Sequence, residues 1–372
     1  MENSALITRE EIKSNELVND TMKALLWMFL LYFIASVAFS GILVGNGYMN
    51  IFFTALVFYP LFTLLPIYTY TKIKPVQKPK TFIRMDKKMD GQLMRQVIVL
   101  GILIALAYIS FILILVYFID PTILQNVNPL GNAVSTSYST EEIVSIIAQL
   151  IVVFVISAGI FEELFFRGFM LNGLRALGEK KAIIITSVAF GLMHLSLFQG
   201  SIACLISLFI GYIAYTLKNT RYAIVLHIAY NSIIVVFALI LLFIQYGIIT
   251  TGSMLYYIMG FGIGGIIVFP IMIKLLISKI KNRNNELNTK ASASEVNTDV
   301  QDDLKEVHVT EPYLFEMYTP VNNTGRTFED GIKIDDYKNP VKVTMSTGAK
   351  LSFGVYIFVT TSLTILGTII IQ

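Results

Sequence analysis

Two adjacent carboxylates stand at the end of a long apolar run and could activate a water molecule. Glu162 and Glu163 follow the apolar segment 143–160. Carboxylates are costly to place in a membrane-length segment, and those that occur there usually serve a function. Glu163 precedes Arg167 by four residues, the spacing and order of an ion pair on one helix face. Because neighbouring helix positions point about 100° apart, Glu162 faces another direction and is the candidate general base.

A plainer interpretation fits the same stretch. Both glutamates can simply mark the cytoplasmic end of a membrane helix, where Arg167 would hold them. The residues around Glu162 do not decide between the two interpretations. The choice depends on whether other chemically active residues share the site.

Histidines occur in two later apolar runs of the chain. His194 lies one helical turn after Phe190, and His227 lies one turn before Asn231. A lone histidine there can bond a backbone carbonyl, but histidines in membrane spans are more often functional. Asn231 can likewise be only a bond between helices. Next to His227 on one helix face, it can also donate to a developing oxyanion.

The composition assigns these residues to a membrane protein. Of 372 residues, 55% are hydrophobic and 14% are charged, with a mean hydropathy of +0.69, whereas soluble proteins carry about 25% charged residues. Only helices or closed barrels satisfy the backbone in lipid, and these runs lack the alternation of barrel strands. We therefore predict an all-α, polytopic transmembrane helical bundle. The predicted spans are 24–44, 49–70, 97–119, 143–162, 182–199, 200–217, 222–246 and 253–279 in the body, with a ninth at 351–371.

Basic residues indicate the orientation of this bundle. The segment 72–96 contains eight lysines and arginines, whereas the segment 120–142 contains none. By the positive-inside rule the first segment is cytoplasmic and the second lies outside, so the N-terminus is predicted to be cytoplasmic. The same rule puts Arg167 and Arg175 on the cytoplasmic side. We expect a multi-pass integral membrane protein, in the plasma membrane if the chain is bacterial.

This orientation has a consequence for the depth of the site. Glu162 and His227 lie within roughly 10 Å of basic residues near the cytoplasmic ends of their helices, but His194 lies about 20 Å beyond Lys181 along a straight helix. The depths agree only if the span 182–199 starts in the cytoplasm or tilts strongly.

The chain divides by composition into a cytoplasmic N-terminal segment, a transmembrane bundle, a polar and partly disordered cytoplasmic linker and a C-terminal transmembrane segment. These parts are predicted at 1–20, at 21–279 with a functional core at about 140–235, at 280–350 and at 351–372. His308 lies in the linker without metal-ligand spacing and is expected to be solvated. The single cysteine, Cys204, excludes a disulfide framework and a zinc site built on cysteines.

Three motifs, EExxxR, FxxxH and HxxxN, follow one another on three separate apolar spans. In this order they resemble the CPBP family of intramembrane endopeptidases, which includes the type II CAAX prenyl endopeptidases and bacterial self-immunity proteins. The resemblance covers roughly residues 140–235, and the other spans and the tail add nothing specific to it. The residues that carry it are Glu162, Glu163, Arg167, Phe190, His194, His227 and Asn231.

The resemblance implies a role for each of these residues. Glu162 and His194 would activate a water that attacks a peptide carbonyl. His227 and Asn231 would stabilise the tetrahedral oxyanion. The other three motif residues would hold the catalytic ones in place.

The resemblance also bears on cofactors and partners. We expect no cofactor, since no HExxH motif lies on one helix, although Glu162, His194 and His227 could supply three ligands to zinc. The expected partners are the lipid bilayer and peptide or lipidated, CAAX-type protein substrates in the membrane, and not nucleic acid.

Two other functions fit parts of this pattern. A non-catalytic member of the family could serve in bacteriocin immunity or bind a partner protein. A proton-coupled transporter could relay protons through buried Glu and His, but such proteins often show two repeats with paired broken helices. No second half of this chain repeats residues 140–235, so an intramembrane endopeptidase is the function we predict.

Overall fold

The described part of the chain is almost entirely helical. The computed structural model describes residues 2–38, 48–73, 79–118, 139–245, 254–298, 345 and 347–371, and these contain no strand. The long helices, in chain order, are α1 (Glu2–Ala38), α2 (Tyr48–Phe53, Thr54–Phe58 and Tyr59–Ile73), α3 (Gly91–Phe118), α4 (Thr140–Gln149, Leu150–Glu162, Leu164–Met170 and Leu171–Gly173), α5 (Glu179–Met193), α6 (Leu197–Leu217), α7 (Thr220–Gln245), α8 (Met254–Thr298) and α9 (Thr347–Ile371).

Several of these helices have the length and composition of membrane spans. Within the described residues, seven segments are long and apolar enough to cross a bilayer. They are Asn15–Ala35, Asn50–Tyr70, Gly91–Leu115, Thr140–Gly173, Leu197–Leu217, Thr220–Ile244 and Gly260–Ala291. The prediction of an all-α, polytopic membrane bundle is confirmed, and the protein is a multi-pass integral membrane protein.

The helix that carries His194 differs from the predicted span 182–199. α5 has 15 residues, so it is about 22 Å long and shorter than the roughly 20 residues that a span requires. α5 is not among the seven segments that could cross a bilayer. The number of spans in the described residues therefore differs from the eight predicted for the body. α5 ends at Met193, and α6 begins at Leu197 with the Ser196 hydroxyl accepting from the backbone N–H of Gln199 at 3.3 Å.

The C-terminal part of the chain contains two long helices. α8 runs 45 residues and continues to Thr298, so residues 280–298 of the predicted linker are helical. The remainder of that linker, 299–344, which includes His308, lies outside the described residues. α9 occupies the position predicted for the ninth span, and its segment Ala349–Thr361 is apolar.

α4 is the helix around which the site is built. It begins with a capping box in which Ser139 and Glu142 bond each other's backbone N–H groups. Instead of ending at 162 as predicted, it continues to Gly173, and most of it is π-helical. π-helical turns are rare and occur frequently at functional sites. Both glutamates thus lie within the helix and not at its end.

Two arginines used to assign the membrane side are buried in the protein. Arg167 is 1% exposed and Arg175 is 6% exposed. Burial inside the protein does not determine how deep these arginines lie in the bilayer. Their predicted cytoplasmic side and the expected depth of His194 stay predictions.

A short segment after α2 fixes the ends of α4 and α7. Thr220 donates through its hydroxyl to the Ile83 carbonyl at 2.6 Å, and Asn172 donates to the Phe82 carbonyl at 3.3 Å. Asp90 caps α3 by accepting from the Leu93 N–H at 2.9 Å, and this bond lowers the pKa of its carboxyl. The first two bonds fix the C-terminal end of α4 and the N-terminal end of α7, and both helices contain polar residues of the site.

α5 and α6 form a hairpin with a very close crossing. A Cβ added at Gly191 would lie 2.5 Å from the Gly200 carbonyl oxygen, and one at Gly200 would lie 2.7 Å from the Gly191 carbonyl oxygen. Backbone atoms cannot yield as a side chain can, so both positions need glycine. This crossing fixes the end of α5, three residues before His194.

Replacing Gly191 by valine should destabilise the protein by about 1–3 kcal/mol, because the added atoms force α5 and α6 apart. The lower melting temperature of the purified protein measures this loss. Gly264→Val is the matched control, since a Cβ at Gly264 in α8 meets no atom within 4 Å. Equal melting temperatures for the two variants would contradict the importance of the crossing.

Candidate active site

The two adjacent glutamates of α4 have different surroundings. Glu163 is fully buried, and its Oε1 accepts from Arg167 Nη1 at 2.8 Å and from His227 Nδ1 at 2.7 Å. The ion pair predicted between Glu163 and Arg167 is present. The contact with His227 was not predicted, and it joins α4 directly to α7.

Arg167 ties this pair to two further helices. Its Nη2 donates to the Ser207 hydroxyl of α6 at 2.6 Å. Its guanidinium lies 4.7 Å from the ring centroid of Phe190 in α5, within the range of a cation–π contact. Arg167 is therefore a buried junction among α4, α5 and α6.

Glu162 is buried but much less constrained. It is 7% exposed, and among the described residues its hydrogen-bond partner is the Tyr59 hydroxyl of α2, at 3.4 Å. It lies within electrostatic reach of His227, Glu163 and Arg167. A carboxylate held by one long hydrogen bond keeps lone pairs that can accept a proton from water.

His194 stands at the end of α5 with a defined tautomer. Its Nδ1 lies 3.0 Å from the Phe190 carbonyl oxygen. A carbonyl only accepts hydrogen bonds, so Nδ1 carries the proton and the neutral ring has its lone pair at Nε2. The side chain is exposed at the protein surface. His194 can therefore accept a proton from a group outside its own helix.

His227 and Asn231 are held on one side of α7. Glu163 accepts from Nδ1 of His227, so Nε2 is the ring nitrogen that remains for other partners. Asn231 donates through Nδ2 to the Phe154 carbonyl of α4 at 2.7 Å. An amide nitrogen carries two N–H groups, and one of them remains available.

Phe190 packs between the two histidines. Its ring centroid lies 5.0 Å from that of His194 and 6.1 Å from that of His227. His194 and His227 are also within electrostatic reach of each other. His227 is thus a neighbour of both Glu162 and His194, although no hydrogen bond between Glu162 and His194 is found in the described residues.

The possible zinc ligands do not form a metal site in this arrangement. Within the described ranges, no group of three or more His, Cys, Asp and Glu side chains could hold a metal ion. Glu162, His194 and His227 therefore provide no donor set for zinc here. The expected absence of a cofactor stays a prediction, with zinc as its alternative.

Two residues of this site were missed from the sequence. Tyr59 and Ser207 are polar residues in the apolar spans of α2 and α6, and neither belongs to a motif. Each bonds a charged residue of α4 that is distant in sequence. A polar residue in a membrane span is only a weak signal of a functional site, because both helices contain several other polar residues.

Comparison with known proteins identifies part of the chain. Residues 144–233 match the family model described as Type II CAAX prenyl endopeptidase Rce1-like. This range contains all seven motif residues, and the match confirms the family predicted from them. It supports an intramembrane, CAAX protease-type function in general. No curated protein and no solved structure matches the chain.

Proposed function

Because residues 144–233 match the Rce1-like family model of type II CAAX prenyl endopeptidases, we propose that this protein hydrolyses peptide bonds of membrane-associated or lipidated substrates. In this proposal Glu162 and His194 activate a water molecule. His227 and Asn231 stabilise the oxyanion that forms when the water attacks a peptide carbonyl.

The observation that carries the proposal is the difference between the two glutamates. Oε1 of Glu163 accepts hydrogen bonds from Arg167 and His227, both within 2.8 Å, so this carboxylate is held in place by charged or polar partners. Among the described residues, Glu162 has one hydrogen-bond partner, at 3.4 Å, and is nevertheless buried. Burying the Glu162 carboxylate costs free energy of folding, and its one long hydrogen bond returns little of that cost. A residue that destabilises the fold in this way is expected to have a catalytic role.

The proposed reaction begins with proton transfer from water. Glu162 accepts the proton while the oxygen attacks the carbonyl carbon, and His194 can accept a hydrogen bond from the same water through Nε2. The proton then passes to the leaving amine as the C–N bond breaks. Glu163 holds the ring of His227 so that Nε2 of the protonated ring can donate to the oxyanion.

A comparison of membranes that contain the wild type or Glu162→Gln tests this function. Substrates should accumulate uncut in the variant and appear as new peptide ends with the wild type, as detected by proteomics of the membrane fraction. A set of peptide ends that is identical in both membranes, with equal protein levels, would favour the non-catalytic, partner-binding alternative.

Asn231→Ala should lower turnover by about 10²- to 10³-fold, as loss of one oxyanion donor typically does. The Michaelis constant should change little, because the donor is used mainly in the transition state. Ser232→Ala is the matched control, since its hydroxyl bonds the Ile228 carbonyl of its own helix at 2.7 Å. The proposed role fails if both variants retain wild-type turnover.

A further inference from the structure

A tyrosine outside the family-matched segment touches the proposed general base. Tyr59 lies in α2, and its hydroxyl donates to Oε1 of Glu162 at 3.4 Å across 103 residues of chain. The Tyr59 ring stacks on Phe161, the residue before Glu162, with centroids 6.5 Å apart and an interplanar angle of 25°. Ring and hydroxyl therefore contact two consecutive residues of α4.

The backbone of α2 is distorted where it presents this tyrosine. Residues Thr54–Phe58 are π-helical, and the Tyr59 N–H donates to the Thr54 carbonyl five residues earlier. The next residue, Pro60, has no N–H and cannot continue the regular helical bonding. Glu162 also ends a π-helical stretch. Two wide helical turns thus meet at the Tyr59–Glu162 contact, a feature frequent at functional sites.

Neighbouring aromatic rings hold Tyr59 in this position. Phe62 lies 5.4 Å from its ring centroid, and Phe58 lies 6.4 Å away on the same helix. Both phenylalanines are buried. A side chain packed in this way has few alternative rotamers, so its hydroxyl points to Glu162 at little further entropic cost.

We infer that Tyr59 is a positioning residue that orients the Glu162 carboxylate toward the water that attacks the substrate, so that the active site extends into α2. This inference rests on the proposed function. The Tyr59 hydroxyl fixes one carboxylate oxygen of Glu162, and the other oxygen is left for water. Without that hydroxyl the carboxylate can rotate, and the fraction of productive geometries falls.

Tyr59→Phe tests this role because it removes the hydroxyl and keeps the ring that packs against Phe161. Turnover should fall about tenfold, the lower end of what a hydrogen bond to a charged group contributes. The Michaelis constant should stay unchanged, since orientation of the base acts on the chemical step. Tyr212→Phe in α6 is the matched control and should keep wild-type turnover. Equal turnover of Tyr59→Phe and wild type would overturn the inference.

A second measurement does not depend on peptidase activity. Dicyclohexylcarbodiimide is an apolar reagent that modifies protonated carboxyl groups, and mass spectrometry locates the modified residue. Loss of a donor to the ionised carboxylate should make Glu162 react faster in Tyr59→Phe than in wild type, whereas Glu163, held by Arg167 and His227, should react equally in both. Unchanged labelling of Glu162 would overturn the contact.

The two measurements separate this inference from the proposed function. If wild type shows no peptidase activity that depends on Glu162, the function fails, while the labelling still tests the contact. If Tyr59→Phe is poorly folded, Phe161→Leu removes the ring stack instead and keeps the hydroxyl. Turnover lowered severalfold in that variant supports the inference, and wild-type turnover contradicts it.

Discussion

Replacing Glu162 by glutamine should lower peptide hydrolysis by about 10²- to 10⁴-fold, the range that a positioned general base contributes. Glutamine has nearly the shape of glutamate but cannot accept the proton of the attacking water. Substrate binding should persist, since the change removes no contact used to hold a peptide. Turnover of a peptide substrate by the purified protein, with its Michaelis constant measured in parallel, checks this expectation.

The melting temperature of the same variant serves as its control. In the described part of the chain Glu162 makes one hydrogen bond, at 3.4 Å, so this bond contributes little to the stability of the fold. Replacing a buried carboxylate by a neutral amide should leave the melting temperature equal or slightly higher. An active Glu162→Gln would show that the general base is another group, and an unfolded one would show that the carboxylate is structural.

The fold class and the motif residues could be predicted from the sequence because both are local patterns. Apolar length indicates membrane helices, and the i, i+4 spacing of Glu163 and Arg167 indicates an ion pair, which is present. The family follows from three such motifs in order. None of these inferences requires knowledge of which helices are neighbours.

Long-range contacts could not be predicted in the same way. The bond between Glu163 and His227 spans 64 residues, and nothing in either motif specifies that these two side chains meet. Because this bond was not predicted, Arg167 was the only partner that the sequence analysis gave to Glu163. Local sequence patterns indicate which polar residues lie in the bundle. The packing of the helices determines which of these residues contact each other.

The extent of α4 was missed for a different reason. Charged residues after an apolar run usually indicate the end of a membrane span. Because Glu162, Glu163 and Arg167 follow such a run, the span was predicted to end at residue 162. In the structure Arg167 is buried, its two terminal nitrogens bond Glu163 and Ser207, and its guanidinium contacts the Phe190 ring. Tertiary partners thus removed the cost on which the sequence rule depends. The two glutamates of the site therefore lie within α4 and not at its end.

Arg167→Met should be the most destabilising single change in this region. Removing one member of a buried ion pair typically costs about 3–5 kcal/mol, because the remaining charge is left without compensation. Here Glu163 would retain only His227, and its Oε2 already lacks a hydrogen-bond partner in the described part of the chain. The melting temperature and the yield of folded protein should both fall strongly. Lys181→Met, at an exposed position, is the control for loss of a positive charge.

A double variant distinguishes an unpaired charge from a simple loss of packing. Glu163→Gln combined with Arg167→Met removes both charges of the pair, so it should be more stable than Arg167→Met alone. If the losses are merely additive, the cause lies in packing around Phe190 and Ser207 and not in the charge. If the charge is the cause, the double variant should recover a folded protein in which His227 has lost its carboxylate partner. Its turnover would then measure what the Glu163–His227 bond contributes to catalysis, separately from what Glu163 contributes to folding.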